Sequence, residues 1–178
     1  MTDVQQAIYD WAYDLAMLTL NPGFTYDPSD PKDPPVPIYQ DQLDASAPTG
    51  LYVAIQGSPT VQPQGQPYIE QQDDNGIRGV VQTYVGVVTL WEVNGNGSKL
   101  TAIREASYLE SIRDALNVVQ SGRESNCVTF LDTSDVTDAS FKLDNTWKLQ
   151  SRMTINVSVA SRITETLSTI VTADIAQV

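Results

Sequence analysis

The chain has 178 residues, a formal net charge of −12 and a hydrophobic content of 41%, so we expect one core in a single domain, residues 1–178. The acidic balance argues against nucleic acid as an attractive partner, because phosphate binding depends on Lys and Arg. The sequence lacks His and has one cysteine, Cys127, which excludes an internal disulfide and most zinc-site and triad chemistries. We expect no standard signal peptide, since no basic residue precedes Lys32, and no membrane span, since no apolar run approaches about 18 residues.

An amphipathic helix is predicted at the start of the chain. Thr2 and Gln5 fit a capping box, and apolar residues then recur at helical spacing until the sequence Asn21-Pro22-Gly23 ends the helix. Tyr9 and Tyr13 belong to a second apolar stripe beside the first. They are therefore candidates for contact with another subunit, with burial in the chain's own core as the alternative.

Two long loops are predicted on either side of a short strand, Leu51 to Gln56. Residues 21–50 contain seven of the ten prolines, and residues 57–79 are rich in Gln, Pro and Gly. The acidic charge is concentrated in the N-terminal half of the chain, because residues 1–77 hold one base and eleven acids, a net charge of −10. Such clustering indicates exposed loops, a basic partner or a functional negative surface, with simple solubility as the alternative.

The middle of the chain predicts a strand followed by a long helix. Residues 80–93 are apolar on both faces, as expected where both sides of a sheet are covered. The turn sequence Asn94 to Gly97 follows, and Ser98 is the predicted cap of one helix from Lys99 to Gln120. A short strand is predicted from Val128 to Leu131, with Cys127 as an inert core residue beside it.

The strongest pattern is the alternation of apolar and polar residues from Trp147 to Val159, interrupted only at Ser151. This period of two predicts one strand of roughly 40 Å, about twice the usual length. A strand that long suggests a protomer that neighbouring copies complete. With a final strand predicted from Thr166 to Ile175, the fold class is α+β, a mostly antiparallel sheet with two main helices.

No catalytic or metal-binding constellation is evident. The carboxylates form no recognisable pair and there is no His to serve as a base, so we expect a non-enzymatic protein without cofactor or metal. Asp132, Asp135 and Asp138, and the pair Asp73-Asp74, hint at calcium ligands. Neither group has EF-hand spacing, and surface turns are the preferred interpretation.

Four segments of the C-terminal half share a pattern of apolar positions around a tryptophan. They are the helix Lys99 to Gln120, the strand near Val128, the connection Phe141-Lys142-Leu143-Asp144-Asn145-Thr146-Trp147 and the strand Arg152 to Val159. In this pattern the chain, over roughly residues 80 to 175, resembles the neck and tail terminator proteins of tailed bacteriophages. The Asp-Pro segment and the loop Gly57 to Gly79 depart from the family.

The resemblance implies a structural virion protein that assembles, usually as a hexameric ring, on the head-proximal end of the tail tube. It would end tube polymerisation and join the tail to neck or head completion proteins, with the tail sheath as a further candidate partner. An acidic channel wall would let DNA pass without specific binding. No membrane partner is expected, and the location is the tail or neck of the virion, after assembly in the host cytoplasm.

Intersubunit contacts are predicted on the two long strands and on the exposed side of the first helix. The residues concerned are Tyr9, Tyr13, Tyr84, Val88, Arg152, Thr154 and Asn156. The alternative for these residues is that they fill the core or decorate the surface of the protomer. Alternative functions are another connector component (head completion, tail tube or baseplate), a calcium-dependent binding module, or a hydrolase with paired carboxylates.

Overall fold

A computed structural model describes residues 3–25, 32–40, 48–56, 59–70, 77–121 and 127–166. The described elements are α1 (Asp3–Leu20), β1 (Ile38–Gln40), β2 (Tyr52–Ile55), β3 (Thr60–Ile69), β4 (Ile77–Val93), α2 (Ser98–Ser107), α3 (Glu110–Ser121), β5 (Cys127–Thr133), β6 (Thr137–Asp138), β7 (Phe141–Leu143), β8 (Thr146–Lys148) and β9 (Gln150–Thr166). Apart from the parallel pair β1 and β2, every described strand pair is antiparallel. The predicted α+β class with a mostly antiparallel sheet is confirmed.

The sheet is organised around the pairing of β4 with β9. These strands pair over 17 residues each, from Ile77 opposite Thr166 to Val93 opposite Gln150. The other edge of β4 is shared by β2 and β3, and the other edge of β9 by β5 and β6. At about 3.3 Å per residue the ribbon is roughly 55 Å long, whereas a compact chain of this size is roughly 40 Å across. The ribbon therefore extends beyond a compact core.

All three helices pack on one face of the sheet, which we call the inner face. Its core residues on β4 and β9 are Val88, Leu90, Met153, Ile155, Val157 and Val159. The main helix α1 approaches β4 closely at Gly86, where an added Cβ would lie 2.3 Å from Ile8 Cδ1. Glycine at this position lets the apolar stripe of α1 contact the sheet directly.

The single helix predicted from Lys99 to Gln120 is wrong, because the chain forms two helices that break at Tyr108 and Leu109. The Tyr108 ring lies edge-on to Phe130 of β5, with ring centroids 5.1 Å apart. The described chain thus has three helices rather than two main ones. Ser98 is also not the cap of α2, since the N-cap residue is Gly97, at φ 86°, which has no side chain to cap the helix.

The predicted strand from Trp147 to Val159 begins and ends later than expected. The strand β9 starts at Gln150 and continues to Thr166, while Trp147 belongs to a separate hairpin of β7 and β8. The hairpin turns at Asp144 and Asn145, with φ values of 47° and 62°. Positive φ at both central positions is the geometry of a tight type I′ hairpin turn, which Asn and Asp tolerate.

Other predicted boundaries change in the same way. The predicted loop 57–79 contains β3 and the start of β4, and the loop 21–50 contains β1. The strand predicted from Val128 to Leu131 is longer, and Cys127 at its start is exposed rather than part of the core. Apart from Thr166, the predicted final strand lies outside the described residues, as does the capping residue Thr2.

Candidate assembly surface

The face of the sheet opposite the helices carries an unusual amount of apolar surface. Its apolar positions on β4 are Val81, Val85, Val87, Trp91 and Val93, all half-buried. The described helices lie on the inner face, so this second face, here called the open face, has no described helix over it. The sequence predicts cover on both faces of β4, and within the described residues the helices supply it on one.

Three of the predicted contact residues lie together on the open face. Arg152, Thr154 and Asn156 alternate with the core residues of β9 and form a row beside β4. The Arg152 guanidinium lies 6.0 Å from the centroid of the Trp91 ring, within the range of a cation–π contact. The Asn156 amide donates a hydrogen bond to the carboxylate of Asp132. The row combines one cation, two small polar groups and an aromatic ring.

The other four predicted contact residues lie on the helix-covered side. Tyr9 is 2% exposed and Val88 is 0% exposed, and both belong to the hydrophobic core. Tyr13 and Tyr84 are partly buried and pack against that core. Burial, and secondarily the negative charge of Asp14, raises the pKa of Tyr13. Tyr9 and Val88 thus follow the alternative interpretation, in which the side chain fills the protomer's own core.

One end of the sheet extends past the helices. Among the described residues, the core includes nothing from β4 before Tyr84 and nothing from β9 after Val159. We call the distal part, residues 62–69, 77–83 and 160–166, the arm. An ion pair braces it, with Arg162 Nη2 2.6 Å from Glu70 Oε2. On its outer strand, Tyr68 and Ile69 are exposed.

The β7–β8 hairpin is a second exposed apolar feature, and the sequence analysis assigned its residues differently. Its apolar side chains and the one that follows it, Phe141, Leu143, Trp147 and Leu149, are all exposed. The alternation through Trp147 placed that residue on the apolar face of the long strand. The turn pair Asp144-Asn145 between short apolar runs is the signal that indicates a hairpin instead.

Three of the acidic residues considered as calcium ligands contact polar or basic groups of the protein itself. Asp132 accepts from Asn156, Asp135 lies 2.8 Å from Arg104 Nη2, and Asp138 accepts from the Ser140 amide at 2.8 Å. No group of three or more metal-ligating side chains occurs among the described residues. Asp73 and Asp74 lie outside the described residues. Likewise, no helix in the described part of the chain is long and apolar enough to cross a membrane.

Comparison with known proteins identifies a family for the chain. No curated protein matches the chain. A family model described as phage neck terminator protein matches residues 2–178, which is nearly the whole sequence. The chain therefore belongs to the phage neck terminator family, and it is a structural protein of the tail and neck of a phage virion.

Proposed function

We propose that copies of this chain form a hexameric ring that caps the head-proximal end of the tail tube. The ring ends tube polymerisation and presents its other side to a neck or head completion protein and, in a contractile tail, to the sheath. It works by shape, packing and charge, without catalysis and without a cofactor. DNA passes through its lumen without specific binding.

The observation that carries this proposal is the open face. Half-buried valines and Trp91 line the outer side of β4, and a half-apolar sheet face of this extent is stabilised when another surface covers it. Arg152, Thr154 and Asn156 lie beside them on β9 and supply polar groups that can fix the register of a partner. A neighbouring copy provides such a cover at each position of a ring.

Ring closure also explains how growth would stop. Closed cyclic symmetry satisfies every subunit contact and leaves no free copy of the interface for another subunit. The edge strand β3 carries Pro63, which cannot donate a ladder hydrogen bond, and its pairing with β4 shifts register between Gln64 and Tyr68. Both features discourage further strand addition at this edge.

Net charge supports the proposed passage of DNA. Six copies at −12 each carry six times that value, or −72. A negative channel lining offers the DNA backbone few cationic contacts, so the DNA slides without being held. The excess of acids in residues 1–77 makes this half of the chain the proposed source of the lining.

The test replaces open-face residues with lysine, which disfavours burial at an interface. Thr154→Lys and Val87→Lys are compared with Thr101→Lys, which makes the same substitution as Thr154→Lys at an exposed position of α2. Mass measurement in solution and electron microscopy with purified tail tubes then report ring formation and tube length. We expect the two open-face variants to remain folded, to lose ring formation and to leave tubes unterminated.

The control variant should assemble and terminate tubes as the unmodified protein does. Circular dichroism and urea unfolding establish that each variant is folded before its assembly is scored. Open-face variants that form normal rings and stop tube growth at the normal length would contradict the proposal.

A further inference from the structure

The β7–β8 hairpin contributes nothing to the described core, yet three of its residues, Phe141, Leu143 and Trp147, are exposed large hydrophobic side chains. Trp147 is 65% exposed, and Phe141 and Leu143 point from the other face of the same two strands. Lys142 pairs with Trp147 across the hairpin, so their side chains share one face. The hairpin also carries two lysines and one aspartate, a positive balance in a strongly acidic chain.

A groove with acidic groups on its wall and an aromatic floor lies between α3 and the edge strand β5. It has a volume of about 370 Å³, and its aromatic floor is formed by Trp11 and Phe130, whose stacked rings have centroids 6.4 Å apart. Glu110 and Asp114 of α3 supply acidic groups on its wall, with Arg113 between them. A groove of this size accepts an aromatic side chain, and an aromatic floor favours one.

The hairpin lies outside the groove of its own protomer, because no residue from Phe141 to Lys148 lines that groove. Trp147 is three residues from Gln150, so it lies within about 11 Å of the start of β9. The groove borders the part of β5 that pairs with Val157 to Val159, which begins seven residues along β9, roughly 23 Å from Gln150. In the structure this groove is therefore open to the hairpin of another copy.

We propose that the hairpin of one copy docks in the groove of the next copy, with Trp147 on the aromatic floor and Lys142 facing Asp114. This deepens the proposed function and rests on it, since it names the segments that join adjacent subunits. The two surfaces lie on different parts of the protomer, so the contact is head-to-tail. Such a contact repeats around an axis and generates a ring when the rotation closes.

The first test is a disulfide cross-link between subunits. In a Cys127→Ser background, Lys142→Cys in the hairpin, which shares the face of Trp147, is combined with Asn117→Cys on the groove wall, both at exposed positions. Under oxidising conditions with tail tubes present, we expect a ladder of covalent multimers up to the full ring. The matched control combines Lys142→Cys with Thr101→Cys on α2, which lies outside the groove, and should give no covalent multimers.

The second test is charge reversal with rescue. Lys142→Glu and Asp114→Lys should each weaken self-association by about tenfold, and the double variant should recover most of the loss. Both residues are exposed, so folding is preserved, and circular dichroism verifies it. Rescue distinguishes a contact between these two groups from two independent surface effects.

The outcomes separate this inference from the proposed function. Rings that form without the disulfide between the hairpin and groove positions, and without rescue by the double charge variant, would overturn the inference and leave the ring intact. Rings that form in a Trp147→Ser variant but fail to hold the tube would also overturn it, by assigning the hairpin to the tube protein. Unmodified protein that never self-associates, even at tube ends, would overturn both.

Discussion

Glu92 is a fully buried carboxylate that takes the place of a conventional helix cap. Its Oε2 accepts hydrogen bonds from the backbone amides of Lys99 at 2.8 Å and Leu100 at 3.2 Å, at the first turn of α2. These are amides that the helix itself leaves without partners, and the helix dipole favours a negative group there. An added Cβ at Gly95 would lie 1.9 Å from Glu92 Oε1, so glycine makes room for this carboxylate.

Removing the Glu92 carboxylate should destabilise the protein. Glu92→Ala leaves two amides without their acceptor in a site that is 0% exposed, and we expect a loss of about 1–3 kcal/mol in the free energy of unfolding. Urea denaturation measures it. The control Glu105→Ala, at an exposed position of α2, the helix that Glu92 caps, should change stability by less than about 0.5 kcal/mol. Equal effects of the two substitutions would refute the capping role.

The turn before β7 should contribute a pH-dependent stabilisation. Hydrogen bonds from the Ser140 side chain and backbone lower the pKa of Asp138 below its ordinary value of 3.8. Because the folded-state pKa is lower, the carboxylate stabilises the fold above the unfolded pKa, and this contribution disappears as the pH falls through the folded pKa. Ser140→Ala should therefore raise the Asp138 pKa, which a carbon-detected NMR titration measures.

The Ser140 hydroxyl also accepts a hydrogen bond from the Gln150 backbone amide at 3.1 Å, and that contribution does not titrate. The control Asp138→Asn removes the titrating group, so Ser140→Ala in this background should have an effect on stability that is independent of pH. An unchanged Asp138 pKa in the single variant Ser140→Ala would show that the side-chain hydrogen bond is not the cause of the shift.

At the scale of elements, the seating of α1 on β4 depends on one close approach. Gly86→Ala would place a methyl group 2.3 Å from Ile8 Cδ1 in the core, and overpacking of this kind costs about 1–3 kcal/mol. Ile8→Val removes that atom and alone costs about 0.5–1.5 kcal/mol. The remaining neighbours of the new methyl lie at 3.5 Å, an ordinary contact.

The double variant Gly86→Ala with Ile8→Val should therefore lose less stability than the sum of the single variants. Thermal and urea unfolding of all four proteins give the coupling energy. Combining Gly86→Ala with Ile103→Val, whose side chain is not among the close neighbours of Gly86, should be additive. Additive behaviour of both pairs would mean that α1 shifts away from the sheet as a rigid body.

The elements that local periodicity determines are the ones that the sequence predicts well. Alternation identifies β4 and β9 and places Arg152, Thr154 and Asn156 on one face, because the period of two is a property of the strand itself. The break between α2 and α3 has no such local signal, since the residues from Ser107 to Glu110 include neither Gly nor Pro. It accompanies a tertiary contact, the packing of Tyr108 against Phe130.

The surfaces were harder to predict than the strands for a related reason. Tyr9 and Val88 have the same residue types and spacing as interface residues, and the packing of α1 on the sheet decides that they are buried. Trp147 continues the alternation of β9 in sequence, and only the turn at Asp144 and Asn145 separates it into a hairpin. Periodicity assigns a residue to a face, whereas the position of other elements decides what covers that face.

At the scale of the whole molecule, assembly sets apolar burial against repulsion between acidic copies. Each copy carries −12, and charges on neighbouring copies interact over about 30 Å in 0.01 M salt but only about 3 Å in 1 M salt. Burial of the open face does not depend on screening in this way. Ring formation should therefore strengthen as sodium chloride rises from about 0.01 to 0.5 M, as measured by sedimentation at fixed protein concentration.

The proposed pair of Lys142 and Asp114 has the opposite dependence, because screening weakens attraction. One such pair at an exposed rim contributes at most about 1 kcal/mol, so the repulsion among net charges of −12 should decide the sign. A variant with Lys142→Gln, which removes the attraction, should show a steeper gain with salt than the unmodified protein. Rings that fall apart as salt is added would show that charge pairs, and not the open face, hold the assembly together.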